Sequence, residues 1–165
     1  MSRFDPYALF DALERHRISY VVVGAFARIV HGSGEVTDEL DIVPSLREEN
    51  LRRLTRAFDE LVPSAPADAV GGEALSLGEA VTVRTGAGPL TLVPQPWGTR
   101  GYDDIRIRGN RENLGRGVQP QIASLVDLTR MLEASRRSED AERLQRLRRL
   151  MELERQLTRG LRLER

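Results

Sequence analysis

Read along its apolar positions, the chain opens with a helix. Asp5 followed by Pro6 is a start signal, because an Asx side chain caps orphan amides while proline is harmless at the first helical position. Leu9, Phe10 and Leu13 then supply one apolar face. Ile18 to Val23 is a β-branched run of strand length ending in Gly24, and Ala25 to Val30 resumes with helix-compatible residues, which predicts strand, tight glycine turn, helix. Leu40 to Val43 is a second short strand closed by Pro44. Ser45 and Glu48 have the spacing of a capping box in front of Leu51, Leu54, Phe58 and Leu61, so an amphipathic helix is expected there.

Residues 63–74, rich in Pro, Ala, Gly and Asp, read as a loop. Val81 and Val83 alternate on one side of Gly86-Ala87-Gly88 and Leu90 and Leu92 on the other, which predicts a hairpin. Ile105 and Ile107 suggest one more short strand, and Ser124 with Asp127 a helix cap ahead of Leu125, Leu128 and Leu132. A last helix carries Leu144, Leu147, Met151 and Leu157, with Gly160 as its expected stop. This order implies an α+β domain: a small mixed β-sheet flanked by helices, with a C-terminal helical pair. Residues 1–122 form the expected α/β core and 123–165 helices packed on it, within a single structural domain.

Composition narrows the chemistry. The 165 residues hold 25 basic side chains, all arginine, and 25 acidic ones. Without lysine, a Schiff base or a Walker-type phosphate lysine is excluded. Without cysteine, so are disulfides, thiolate metal sites and a cysteine nucleophile, which favours a reducing, cytoplasmic setting. The longest uncharged apolar stretch, Tyr20 to Ala27, is broken by Arg28 and falls far short of the roughly 18 residues a spanning helix requires. No membrane partner is expected. Residues 136–165 carry ten arginines against six acids, but Glu139, Asp140, Glu142, Glu152 and Glu154 are interspersed, so a solvated, salt-laced helix face is the simpler reading than nucleic-acid binding.

The stretch from Gly24 to Pro44 carries the candidate chemistry. Glu39 and Asp41 are one residue apart on a predicted strand, so both carboxylates face one side while Leu40 faces the core. Two such acids suit a magnesium ion, which prefers hard oxygen ligands and completes its shell with water and phosphate oxygens. The turn at Gly24 would bring helix N-terminal amides toward those phosphates.

Together these residues resemble the nucleotidyltransferase superfamily, in particular the small branch that includes the AbiEii-type toxins of toxin–antitoxin pairs. The matching positions are Tyr20 to Gly24, His31-Gly32, Thr37 and Glu39-Leu40-Asp41. The similarity extends through the helix from Ser45, the hairpin, Gly101-Tyr102-Asp103-Asp104 and the helix from Ala123, to about residue 153. The resemblance implies Mg2+, as one or two ions held by carboxylates, and transfer of a nucleoside monophosphate from a nucleoside triphosphate to a hydroxyl of RNA, protein or a small molecule. Glu39 and Asp41 match the metal-binding acids; Gly24, Ala25, Thr37 and Thr91 match positions around the nucleotide.

Thr91 stands where the family has a third carboxylate, removing a charge and a candidate proton acceptor. Gly24-Ala25 replaces a glycine pair, Glu35 an arginine, and Glu139-Asp140 a basic residue followed by aspartate. Glutamates at 35 and 139 put negative charge where a triphosphate would need positive charge. A catalytically inactive nucleotide-binding or protein-interaction module is therefore the alternative, with Asp103 or Asp104 as a candidate substitute for the missing acid. A homodimer through the C-terminal helices is a further reading, carried by leucine spacing alone. His31 reads as a packing histidine, Trp97 as a local core plug, and Arg84, Arg100 and Arg106 as side chains able to line a phosphate cleft.

Overall fold

The computed structural model describes residues 3–62 and 72–163. Its elements run α1 (Pro6–Arg15), β1 (Tyr20–Val23), α2 (Gly24–Val30), β2 (Leu40–Pro44), α3 (Glu48–Leu61), α4 (Gly72–Ser76), β3 (Val81–Thr85), β4 (Gly88–Leu92), α5 (Tyr102–Ile105), β5 (Asn110–Arg111), β6 (Gln121–Ile122), α6 (Leu125–Ala134) and α7 (Asp140–Leu163). This is an α+β fold on a six-stranded mixed sheet of order β3-β4-β2-β1-β6-β5.

The central strands earn their place by burial. All four residues of β1 are buried, as are Leu40, Ile42 and Val43 of β2. The two strands pair antiparallel, Val23 opposite Asp41, and β2 pairs parallel with β4, Asp41 opposite Thr91. The hairpin expected around Gly86 is β3–β4, with Thr82 opposite Thr91. Alternating Leu90 and Leu92 are fully buried, which fixes the register, because a slip by one residue would turn both outward.

Helices cover the sheet through matched apolar faces. In α1 the Ala8 N–H donates to Asp5 Oδ1 at 3.2 Å, and Leu9, Phe10 and Leu13 are buried. In α6 the Ser124 hydroxyl caps the Asp127 amide at 3.0 Å, as the sequence predicts. Leu125, Leu128, Leu132 and Leu147 join the same apolar core as β1, β2 and β4, so the C-terminal helices and the sheet share one interior. Among the described residues no helix is long and apolar enough to cross a membrane.

Several local expectations need correction. The capping box at Ser45 and Glu48 does not form; α3 begins at Glu48 with Arg47 as its cap and no side-chain cap bond. Ser45 is buried instead, and Asn50 does the stapling: its side chain donates to Ser45 O (2.7 Å) and Ser19 O (3.0 Å) and accepts from Ser19 N (2.7 Å). A buried amide satisfying three backbone groups outweighs a solvent-exposed cap. Residues 63–71 of the expected loop lie outside the described residues, and 72–74 belong to α4.

Ile105 and Ile107 form no strand. Ile105 is fully buried at the end of the single-turn α5, whereas Ile107 is 72% exposed. The sheet edge is built by two-residue strands β5 and β6, too short to show any alternation. Trp97 is no core plug: it is half-exposed, with the Arg137 guanidinium 5.1 Å from its ring centroid. Nor does Gly160 end α7, which continues to Leu163.

Candidate functional site

The row across the sheet that contains Asp41 reads Val23, Asp41, Thr91, Thr82. Paired residues in adjacent strands project to the same face, so Asp41 and the two threonines stand side by side. Leu40, between Glu39 and Asp41, is fully buried on the opposite side, and the Glu39 charge is felt by Asp41. Position 24 closes against them. Gly24 has φ +68°, and a Cβ there would lie 3.1 Å from Asp41 Cγ and collide with Asp41 Oδ2. Glycine at 24 is thus required twice, by the left-handed backbone and by the carboxylate packed on it. Gly24, Asp41 and Thr91 come together as the sequence suggests, whereas Glu39 lies exposed just before β2, not on it as expected, and reaches Asp41 through its charge.

Asp41 is held at an energetic disadvantage. Burial, then the Glu39 charge, push its carboxyl up to about 6, against an opposing pull from Arg28. Arg28 is nonetheless engaged elsewhere. Its Nε and one terminal nitrogen bind Glu35 at 2.8 and 3.0 Å, with both side chains nearly buried. The Ser33 hydroxyl adds a bond to Glu35 at 2.9 Å, and Arg143 approaches it at 3.4 Å. Burial works against ionisation of Glu35, yet the Arg28 hydrogen bond and charge outweigh it and hold the carboxyl below its ordinary range. The expectation that Glu35 would present negative charge to a triphosphate is therefore overturned, because that charge is consumed by Arg28 and Arg143.

In the Glu139-Asp140 pair only Asp140 is neutralised in this way. Glu139 is exposed and 3.7 Å from Arg137. Asp140 is buried and accepts from the Ser135 hydroxyl, from Arg137 at 3.0 Å and from Arg143 at 2.8 Å. A relay of charges thus runs from Arg28 through Glu35, Arg143 and Asp140 to Arg137 over Trp97.

The remaining sequence candidates divide. Ala25 lies in the first turn of α2, whose cap residue Val23 makes no side-chain bond, so the leading amides of α2 have no cap. Thr37 turns its hydroxyl onto Glu39, accepting from its N–H and donating to its carbonyl at 3.3 Å each, and so shapes the approach to Glu39. Thr91 Oγ1 shares a hydrogen bond with Thr82 Oγ1 at 2.9 Å. His31 packs as expected: its Nε2 donates to Ala123 O at 2.8 Å, joining the end of α2 to the start of α6.

Asp103 and Asp104 do not supply a third acid. Asp103 pairs with Arg106 at 3.1 Å, and Asp104 binds Arg108 (3.2 Å), Arg130 (2.8 Å) and the Arg100 amide (2.9 Å). Among the described residues no group of three or more His, Asp or Glu stands close enough to hold a metal ion. Arg100 lines a hollow of about 290 Å³ with Pro44 and Arg47, Arg106 lines an adjoining one, and Arg84 stands exposed on β3.

Sequence reasoning missed Arg28. The signal was an arginine interrupting the apolar run Phe26, Ala27, Ile29, Val30; a charge on the covered side of a short helix needs a partner. No protein-family model matches the chain, and no curated protein matches it.

Proposed function

We propose that this protein is nucleotidyltransferase-like and handles a magnesium-bound nucleoside triphosphate at Glu39 and Asp41, passing its nucleoside monophosphate to a hydroxyl of RNA, protein or a small molecule. The observation that carries the reading is Asp41 itself: a desolvated carboxylate that feels a second acid, packed on a side-chain-free bend, with Arg28, the arginine whose charge it also feels, committed to Glu35. The donor set fits the ion, since two neighbouring carboxylates are hard oxygen ligands whose mutual repulsion a divalent cation relieves. Bound there, magnesium would supply charge neutralisation for the triphosphate and for the departing pyrophosphate.

The chain's own residues do the rest. Gly24 keeps the bend close to Asp41, and the uncapped amides of Gly24 and Ala25 offer donors to phosphate oxygens. Thr37 orients the backbone that presents Glu39. Label transfer from an α-labelled triphosphate is expected to require magnesium and to be lost in Glu39→Gln and Asp41→Asn. Full transfer by Asp41→Asn would overturn the assignment.

One observation favours a second reading. Thr91 occupies the row position beside Asp41, and its hydroxyl is engaged by Thr82, so the place of a third acid is neutral and offers no proton acceptor. On that reading the protein binds the triphosphate without transferring it. Calorimetric titration would then show metal-dependent binding while label transfer stays at background.

A further inference from the structure

β1 ends at the candidate site with Val23 opposite Asp41 and begins at the other end of the sheet with Tyr20 opposite Pro44. Strand alternation also puts the Tyr20 side chain on the opposite face from Asp41. Around it lies a separate hollow of about 360 Å³, whose lining includes Glu14, Arg17, Tyr20, Tyr102, Arg111 and Gln121. Two buried polar atoms there have no hydrogen-bond partner: Glu14 Oε1, and Oη of Tyr20, a residue only 6% exposed. A buried polar group that gives up water without a replacement costs stability, so both atoms call for something to bind. Burial, then the Glu14 charge, push the Tyr20 hydroxyl up, against a pull from Arg111. The phenol therefore stays neutral, able to donate one hydrogen bond and to accept another.

The wall carries charge of both signs. Nearby arginines are paired, Arg15 with Glu60, Arg53 with Glu49 and Arg106 with Asp103. Glu14, Arg17 and Arg111 take part in no ion pair among the described residues; Arg111 gives one terminal nitrogen to Gln119 O at 3.1 Å. The surroundings are fixed in advance. Asn50 engages both backbone groups of Ser19, at 2.7 and 3.0 Å, and Gln121 Nε2 donates to Arg106 O at 2.7 Å. Groups set in place beforehand lose little freedom when a ligand arrives.

Those charges select the ligand. A simple anion would meet Glu14, a simple cation would meet Arg17 and Arg111, and an uncharged molecule would use none of them. We propose that this hollow binds a small zwitterion of the α-amino-acid class, its ammonium group on Glu14 and Tyr20 and its carboxylate on Arg17 and Arg111. The ammonium donates to Glu14 Oε1 and Tyr20 Oη, which satisfies both buried atoms, and the phenol hydrogen is left for the carboxylate. Arg17 and Arg111, both exposed, hold that carboxylate at the rim. About 360 Å³ is the small end of ligand pockets, enough for one amino acid with its side chain. Nothing in this assignment draws on Glu39 or Asp41.

Calorimetric titration of the full chain with each of the common α-amino acids, up to about 10 mM, tests it. At least one is expected to bind with a dissociation constant below about 1 mM and to raise the melting temperature. The matching amine without its carboxylate, and the matching acid without its amine, should bind at least about tenfold more weakly. Tyr20→Phe removes a hydroxyl that has no partner in the free protein, so the unliganded variant should melt no lower than the wild type. Tyr20→Phe and Glu14→Gln are each expected to weaken binding about tenfold or more, whereas Asp41→Asn should leave it unchanged. Absence of binding by every amino acid would leave the two buried atoms to ordered water and overturn the proposal. So would an affinity indifferent to Tyr20→Phe and Glu14→Gln, or an amine or acid alone that binds as well as the amino acid.

Discussion

Asp104 and Asp127 share two arginines, whereas Glu39 and Asp41 have none to themselves. Asp127 is fully buried at the start of α6 and receives Arg108 at 2.8, 3.0 and 3.1 Å and Arg130 at 3.2 Å. Asp104 binds the same two guanidiniums and accepts from the Arg100 amide; that backbone bond leads the causes that hold its carboxyl below the ordinary range. Asp41 is pushed the other way, to about 6. Both pairs lie beside short helices and both are partly or wholly desolvated. The difference is compensation: four opposite charges closed on one another hold a structure together, while an acid pair left open keeps its attraction for something from outside.

The largest effect that would sharpen this contrast is expected at the closed cluster. Asp127→Asn leaves two guanidiniums facing a neutral amide in a buried place, and unfolding by urea should show a loss of about 3–5 kcal/mol. At the open pair the sign reverses. The folded state holds a proton on Asp41 between the usual 3.8 and about 6, so stability falls as pH rises through that window and the full penalty stands above it. Asp41→Asn should therefore stabilise the chain by about 2 kcal/mol at pH 8 and hardly at all at pH 3.5. Melting curves at the two pH values measure both, and a destabilised variant at pH 8 would erase the distinction between the pairs.

A smaller effect should follow from completing the row. Thr91→Asp adds a third carboxylate opposite Asp41 and is expected to lower stability by about 1–2 kcal/mol without divalent ions. Millimolar magnesium should restore it, by the ordinary linkage of binding to folding. Smallest of all is Glu39→Gln. Glu39 is exposed, so its removal should bring Asp41 down toward the ordinary carboxylate range with a stability gain under about 1 kcal/mol. Titration of the Asp41 carboxyl by NMR reads it directly, and an unmoved midpoint would mean that burial alone sets the shift.

How much of this could be read beforehand follows from the range of each signal. Gly24 and Asp41 were legible because strand alternation and a glycine bend are local features, whereas Thr91 was picked out only through the resemblance, and it is the parallel pairing of β2 with β4 that sets it beside Asp41. The helix cap at Ser124 was legible for the same reason. What could not be read was pairing at a distance. Nothing near Asp127 announces Arg108, nineteen residues earlier, and nothing near Glu35 announces that Arg28 will turn onto it. Ser45 misled because its spacing to Glu48 satisfies a local rule that the buried Asn50 overrides. The edge strands β5 and β6 were invisible because two residues carry no period.

Gly24 bears on which changes the molecule can absorb. Either acid of the open pair can be exchanged for its amide without altering a backbone angle or adding bulk. The bend admits no such exchange, since even one methyl group there would have to displace Asp41 from its rank beside Thr91. The position that carries no functional group is accordingly the least replaceable of the four, and it dictates where its neighbour's oxygen atoms stand.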